Sequence, residues 1–330
     1  MPEQVQFEFC PYARPFRQPI RTHHGHWSTR QGILLRLTQE NGKRSYGEIA
    51  PLEWFGSESF AQALTYCQQL PQVITPAEIL AIPARYPATQ FGFSSAWQDL
   101  ADPGSQILES GQISGLLPAG QEALSVWSRL YHQGYRTFKW KIGVEPIQTE
   151  RSLLDQLLAH LPADAQLRLD ANGGLTLAEA HEWLRSCQGC AVEFLEQPLP
   201  AEEFVLHQRL RDQYSTPIAL DESIGTIGQA ERVYAQGWRG IFIIKPAIAG
   251  SWQSLHHFVH HYSPDLVLSS VFETVVGLYH IGQLRQRWQL TSRAAGCGLD
   301  HCFAPDHLSG IHLAFSPAYF EKLWTILSPT

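Results

Sequence analysis

Five ionisable residues, Lys141, Asp170, Glu196, Asp221 and Lys245, follow one another along the chain at intervals of 29, 26, 25 and 24 residues. Each interval is about the length of one strand–helix unit, so the five occupy equivalent places on successive units. Three carboxylates brought to one place repel and raise one another's pKa values unless a cation joins them, and a hard dication such as Mg²⁺ takes oxygen ligands at about 2.0–2.1 Å. The series therefore predicts a metal site made of Asp170, Glu196 and Asp221, with a lysine on either side. A single acid at such a place is as readily a cap for the next helix, and Asp221 before Glu222-Ser223 suits that reading; three at one period between two lysines do not.

Strand alternation adds two cations. Residues i and i−2 share a face, which puts Lys139 on the side of Lys141 and Arg168 on the side of Asp170, where their charge offsets the acids and suits an anionic substrate. Lys141, beside a second lysine and a dication, is expected to give up its proton more readily, as a lysine must to act as a base.

These residues need strands that end together. From about residue 113, short apolar, β-branched runs alternate with amphipathic stretches: 113–117, 137–142, 167–170, 192–196, 218–221, 241–245, 266–269 and 292–295. Eight such runs close a parallel α/β barrel whose strand C-termini surround one mouth, where catalytic groups converge. Thr176 is placed to cap a helix over 177–187, and Gly237 to stop one over 229–236. Ahead of the barrel, strand-like 32–38 and 46–49 flank the turn Glu40-Asn41-Gly42, and helix-like segments cover 59–70 and 91–100, which reads as an α+β capping domain. The expected division is a capping domain over 1–110, the barrel over 111–300 with its linker near 102–111, and a segment 301–330 returning to the capping domain.

Composition agrees with a compact enzyme. Hydrophobic residues make up 44% of the 330 and charged residues 17%, enough for a large core. A net charge of −7 without a basic run excludes a phosphate-binding surface, so small molecules, not nucleic acids, are the expected partners. No apolar leader and no stretch of 18 apolar residues occur, which predicts a cytoplasmic protein with no membrane partner. Six cysteines form no disulfide framework, and Cys187-x-x-Cys190 lacks the second pair that a structural zinc wants. The pairs His256/His260 and His257/His261 read as a solvated helix face.

The motifs Lys139-Trp140-Lys141, Asp170-Ala171-Asn172, Glu196-Gln197-Pro198, Asp221-Glu222-Ser223 and Lys245-Pro246 resemble the active-site series of the enolase superfamily. Lysines on both the second and sixth strands are similar to its muconate-cycloisomerase-like subgroup. Within that subgroup, residues 46–51 (YGEIAP), 91–93 (FGF) and 298–300 (GLD) look most like the o-succinylbenzoate synthase family. The resemblance implies a modified (β/α)7β barrel, Mg²⁺ (with Mn²⁺ as the alternative ion) on Asp170, Glu196 and Asp221, and a carboxylate substrate. It also implies a syn dehydration with Lys141 as acid and base, and Lys245 stabilising an enediolate from the opposite face. Lys139, Arg168 and Asn172 would support the ligands or touch the substrate, and Ser269, Ser270 and Glu273, at the end of the seventh strand, would receive the succinyl arm.

Competing activities leave different marks. N-acylamino acid racemases and dipeptide epimerases of the same superfamily use the two lysines as opposed bases, but dipeptide epimerases carry two acids on the eighth strand where this chain has Cys297-Gly298-Leu299-Asp300. A Schiff-base aldolase would leave three carboxylates without purpose. A barrel that only binds a ligand would not need both lysines and all three acids. The loop over 52–57 is bulkier than the glycine-rich loop expected in the family, and His23, His24, His26 and Trp27 fall where a mouth-covering loop belongs.

Overall fold

The computed structural model describes residues 3–22, 25–104, 108–304, 306–308 and 317–328, and the side chains of all of these but 21, 22, 25, 300 and 317. His23 and His24, and the Asp300 side chain, lie outside the described residues.

The N-terminal part is built on the long hairpin β1 (Val5–Thr22) and β2 (Gly25–Thr38), continued by β3 (Arg44–Ile49) and β4 (Val73–Ile74) into a four-stranded antiparallel sheet of order β3-β2-β1-β4. Gly42 makes the β2–β3 turn at φ +81°, with the Gln39 N–H donating to the Lys43 carbonyl at 2.9 Å. Only a residue without a Cβ adopts that φ at no cost. Three helices cover the sheet: α1 (Phe60–Gln69), α2 (Pro76–Leu80) and α3 (Pro87–Ala101). The sheet buries both faces. Phe7, Ile33, Leu35 and Ile49 join the main core, while Cys10, Tyr12, Leu34 and Tyr46 form a second cluster that includes Val275 and Trp324. At Gly47 a Cβ would lie 2.1 Å from the Gly92 carbonyl oxygen, so β3 and α3 meet backbone to backbone.

The barrel runs β5 (Ile113–Leu117), α4 (Ala123–His132), β6 (Thr137–Lys141), α5 (Ile147–His160), β7 (Gln166–Asp170), α6 (Leu177–Cys187), β8 (Val192–Glu196) and α7 (Phe204–Gln213). It continues through β9 (Ile218–Leu220), α8 (Ile227–Ala235), β10 (Ile241–Ile244), α9 (Pro246–Ala249), α10 (Trp252–Tyr262), β11 (Leu266–Leu268), α11 (Val275–Arg287) and β12 (Ala295–Gly298). The strands pair in parallel in the order β11-β10-β9-β8-β7-β6-β5-β12, and a bridge from Ser269 to Gly296 joins the two ends. Phe194, Ala219, Ile241, Ile243 and Val267 fill the interior. Among the described residues no barrel helix follows β12, which is the (β/α)7β form. The last helix, α12 (Pro317–Leu327), packs on β1 and β3, with Trp324 and Phe320 against Tyr46.

Helix signals sit where the side chains dictate. Thr176 accepts from the Glu179 N–H and Glu179 returns a bond to Thr176, closing both ends of a capping box before α6. Gly237, at φ +95°, follows α8. The eighth strand lies three residues later than expected. Arg293 is engaged outside the strand with Asp265 and Glu193, both at 2.7 Å, and the glycine-bearing stretch forms the strand instead. Gly298 needs to be glycine, because a Cβ there would lie 2.2 Å from the Ser114 carbonyl oxygen of β5. Among the described residues no helix is long and apolar enough to cross a membrane, and Cys10, Cys67, Cys187 and Cys190 are free thiols.

Candidate active site

The strand register puts the ionisable series together. Lys141 lies opposite Asp170 across β6 and β7, and Asp170 opposite Glu196 across β7 and β8. Asp221 and Lys245 follow β9 and β10 directly. A cavity of about 380 Å³ opens over these strand ends, walled by Lys139, Lys141, Asp170, Asn172, Asp221 and Lys245 from the middle strands. Ser114, Leu116, Gly296 and Gly298 wall it from β5 and β12, and Ser269 to Phe272 from the stretch after β11.

Ammonium groups neutralise the acids. Lys139 Nζ lies 2.8 Å from Asp170 Oδ2 and 2.6 Å from Glu196 Oε1, and Lys245 Nζ touches Asp221 Oδ1. Burial works against the charge on Lys139, but the charges of Asp170, Glu196 and Asp221 outweigh it and hold its pKa well above the ordinary value. Burial likewise opposes charge on Asp170, and the Lys139 ammonium overcomes it, so Asp170 titrates below the usual range. Glu196, deeper and facing Asp170, is pushed well above its usual value by burial and then by that neighbouring charge. Lys141 differs from the other two lysines: among the described residues it makes no ion pair or hydrogen bond, while its side chain faces the cavity. Asp221 makes no helix-capping side-chain bond, so the capping reading of that residue gives way to its contact with Lys245.

A polar floor supports the strand ends. Gln197, fully buried with φ +36°, accepts the Asp221 N–H at 3.0 Å and the Ser223 N–H at 3.3 Å, and its amide donates to the Leu199 carbonyl at 3.0 Å. His207 of α7 lies behind it, 3.4 Å from Gln197 Nε2. Asn172 (φ +43°) donates to Glu222 Oε1 at 3.0 Å. Burial, then the charges of Asp221 and Asp170, push Glu222 up to about 7, and its Oε2 is buried without a partner among the described residues. Left-handed backbone at residues other than glycine costs about 1–3 kcal/mol each and gathers where function over-determines it; here it marks Asn172, Gln197 and Phe272 (φ +65°) around one mouth. Glu222, Gln197 and His207 were not singled out by their sequence; the two that sit inside quoted motifs, Gln197 and Glu222, were the only signal.

Two expected residues stand elsewhere. Arg168 shares the inward face of β7 but lies one layer deeper: its Nε bonds Glu193 at 2.6 Å, its guanidinium lies 4.8 Å above the Phe194 ring, and it is no part of the cavity wall. Its charge is already matched inside the barrel and does not serve the mouth. Glu273 is buried behind the wall, accepting the Ser270 hydroxyl at 2.7 Å and the Val271 N–H at 2.6 Å. Ser269 and Ser270 do line the cavity. Thr274 caps the helix that follows, accepting the Val276 N–H.

Comparison with known proteins agrees with this geometry. Residues 6–100 match the family model described as the MenC N-terminal domain, and residues 122–278 the enolase C-terminal domain-like model. An o-succinylbenzoate synthase from Thermosynechococcus vestitus is 38% identical over 97% of this chain and 98% of its own length. The chain belongs to the o-succinylbenzoate synthase family of the enolase superfamily. The crystal structure of the enzyme from Thermosynechococcus elongatus BP-1, complexed with Mg in its active site, superposes with a TM-score of 0.89 at 36% identity, covering 98% of this chain and all of that one. An N-succinylamino acid racemase from Thermus thermophilus is 30% identical over 56% of this chain and 49% of its own length.

In this member of the o-succinylbenzoate synthase family, aromatic side chains from distant segments roof the cavity. Trp27 of β2, Trp54 and Phe55 join the wall, and Trp27 packs edge-on to Phe16 (4.8 Å), Trp54 (5.0 Å) and Phe272 (5.4 Å). The bulky loop 52–57 thus serves as packing over the mouth, and Lys245 Nζ lies 3.9 Å from the Phe55 ring centre. His26 is exposed.

The donor set suits a hard dication: three carboxylates on adjacent strand ends, with Glu222 Oε2 buried and unpartnered beside them. As the side chains stand, lysines hold the acids, and among the described residues no three His, Cys, Asp or Glu side chains are drawn close enough to chelate an ion.

Proposed function

We propose that this chain dehydrates 2-succinyl-6-hydroxy-2,4-cyclohexadiene-1-carboxylate to o-succinylbenzoate, a lyase step on the route to menaquinone or phylloquinone. Its family membership supports the reaction, and one observation carries the roles: Lys141 faces the cavity without a partner among the described residues, while Lys139 and Lys245 are tied to the acids. A lysine in a direct ion pair with a carboxylate is a poor base; one without that contact can take a proton.

Lys141 removes the proton from the ring carbon that carries the carboxylate, and the C–H electron pair becomes enediolate charge. That charge then re-forms the ring double bond as the neighbouring C–O bond breaks, and Lys141 returns its proton to the departing hydroxyl, which leaves as water. One base on one face suffices for a syn elimination. Lys245, across the mouth, stabilises the enediolate by its charge. Asp170, Glu196 and Asp221 would hold Mg²⁺ (Mn²⁺ as the alternative), which would supply positive charge where the substrate carboxylate gains negative charge. Lys139 holds Asp170 and Glu196 in place, and Asn172 orients Glu222 beside them. Ser269 and Ser270 line the side of the cavity that would receive the succinyl carboxylate, with Glu273 shaping their turn from behind. We take the chain to divide into residues 1–110, 111–300 and a returning segment 301–330, and to act in the cytoplasm on a small carboxylate.

Racemisation of N-succinyl amino acids is the second reading, favoured by Lys141 and Lys245 standing on either side of the acids. The proposal is tested by following aromatic product from the cyclohexadiene substrate with purified protein. Product should form with Mg²⁺, stop with EDTA and return with added Mg²⁺; turnover undiminished in metal-free protein overturns the metal assignment.

A further inference from the structure

Glu48 lies on β3 in the N-terminal sheet, yet its carboxylate reaches into the barrel. Only 1% of the residue is exposed. Oε1 accepts the Tyr12 hydroxyl at 2.6 Å and the Thr274 N–H at 2.9 Å, and Oε2 accepts the Thr274 hydroxyl at 2.5 Å and the Gly277 N–H at 2.9 Å. Thr274 is the N-cap of α11 and Gly277 lies in its first turn. There the backbone N–H groups lack helical partners and the helix dipole favours a negative charge. A carboxylate of one domain therefore closes a helix of the other. Gly277 leaves room for it, since a Cβ there would lie 3.0 Å from Glu48 Oε2 and 2.6 Å from Glu273 Cγ.

What ends at that cap is the cavity wall, Ser269 to Phe272. At its start, the Ser269 N–H donates to the Ile244 carbonyl at 2.8 Å and the Ser270 N–H to the Gly296 carbonyl at 3.1 Å, on the seam of the barrel. In its middle the segment folds on itself: Glu273 holds Ser270 and Val271, and Ser270 Oγ accepts the Phe272 N–H at 3.0 Å, which fits the left-handed turn at Phe272. At its end the cap at Thr274 holds it, beside a bond from the Val275 N–H to the Leu308 carbonyl at 3.1 Å and the packing of the Phe272 ring on Phe16, Trp27 and Phe303, and Glu48 supplies the carboxylate anchor from outside the barrel.

We infer that Glu48 is a positioning residue for this wall: it sets the Ser269–Ser270 hydroxyls and the Phe272 ring through the N-terminus of α11, and so tunes how tightly the cavity grips its ligand. The inference rests on the cavity being the substrate site. A merely structural staple predicts something different, and Glu58 provides the comparison. Glu58 is also buried and also closes a helix, accepting the Ala88 N–H at 3.0 Å and the Thr89 N–H at 2.6 Å, but within the N-terminal domain and away from the wall.

The test compares Glu48→Gln with Glu58→Gln in the Mg²⁺-loaded enzyme, by amide hydrogen exchange of the 269–277 peptide and by KM and kcat for the cyclohexadiene substrate. Glu48→Gln should speed exchange in that peptide and raise KM about tenfold, the equivalent of one charge-assisted hydrogen bond's contribution to the order of the wall, with kcat within about threefold. Glu58→Gln should leave exchange in 269–277 unchanged. If Glu48→Gln lowers stability but leaves exchange in 269–277 and KM at wild-type values, Glu48 is only a staple and the inference is overturned. Should Glu48→Gln fail to fold, Thr274→Val removes the hydroxyl that Glu48 accepts and carries the same readouts. If the wild type turns over no cyclohexadiene substrate, the proposed function fails, and the exchange comparison still decides whether Glu48 orders the wall.

Discussion

His207 offers a test of the polar floor that needs no substrate. Its side chain is fully buried; Nδ1 faces the Glu203 carbonyl at 3.0 Å, and Nε2 faces the Leu199 N–H at 3.3 Å and Gln197 Nε2 at 3.4 Å. That pattern uses the neutral ring, with Nδ1–H donating and Nε2 accepting. A proton on Nε2 would face two N–H groups in a fully buried place. Burial accordingly pushes the His207 pKa down from 6.5 to about 4. Between those values the unfolded chain binds a proton that the folded chain refuses, so this contribution is whole above pH 6.5, is lost as pH falls toward 4, and changes no further below that. With one pKa unit equal to about 1.4 kcal/mol, moving from pH 7.5 to pH 5 costs about 2 kcal/mol through this group alone. Equilibrium urea unfolding of metal-free wild type and His207→Asn at the two pH values isolates it from the other histidines. The variant should be the less stable at pH 7.5, having lost the ring's bonds, and the gap should shrink by about 2 kcal/mol at pH 5. A gap that does not change with pH would refute the claim that His207 is held neutral beneath Gln197.

Lys141→Ala should lose at least about 10²-fold in kcat for dehydration, the low end for removing a general acid and base. Lys245→Arg keeps the charge but is a very poor base, so steady-state assays should find part of the dehydration left and any racemisation gone. Gly47→Ala puts a Cβ 2.1 Å from the Gly92 carbonyl, backbone against backbone, and should cost at least about 1–3 kcal/mol, read as a fall in urea midpoint at unchanged m-value. Glu273 is pushed up to about 7 by burial, so its folded form keeps a proton that the unfolded chain releases, and the wild type loses stability as pH rises from 4.5 to 7. Glu273→Gln escapes that loss and should gain on the wild type by about 3 kcal/mol between pH 4 and pH 8 in the same unfolding assay.

The carboxylate series was legible because strand ends recur at one period, and a period survives any uncertainty in helix boundaries. Lys139 followed from strand alternation and its side chain reaches the acids as expected. Alternation tells the face and not the depth, however, which is why Arg168, on the right face of β7, ends in the layer with Glu193 and Phe194. Adjacency to a strand end was a similarly blunt guide to Glu273, whose carboxylate turns back on its own loop. The longest strand, β1, went unread because Pro11, Pro15 and Pro19 punctuate it. Val5 and Gln6 of β1 pair with β4, so Pro11 falls where β1 bonds β2 alone, and Pro15 and Pro19 border the irregular stretch between Pro15 and Ile20, where a missing N–H is tolerated. Trp27 and the loop 52–57 were expected near the mouth and do reach it, but how the roof packs, and the floor, were illegible for another reason. Phe16, Trp27, Trp54 and Phe272, and likewise Gln197 and His207, meet only through the tertiary fold, with no spacing in the chain to announce them.

The central claim is that one lysine, Lys141, runs a dehydration at this mouth, and the most direct measurement sets the two chemistries against each other in one preparation. kcat/KM for aromatisation of the cyclohexadiene carboxylate and for racemisation of an N-succinyl amino acid should be determined with Mg²⁺, for wild type and Lys141→Ala. The account predicts a larger kcat/KM for aromatisation in the wild type and its collapse in the variant. A larger kcat/KM for racemisation, or aromatisation at the wild-type rate without Lys141, would contradict it.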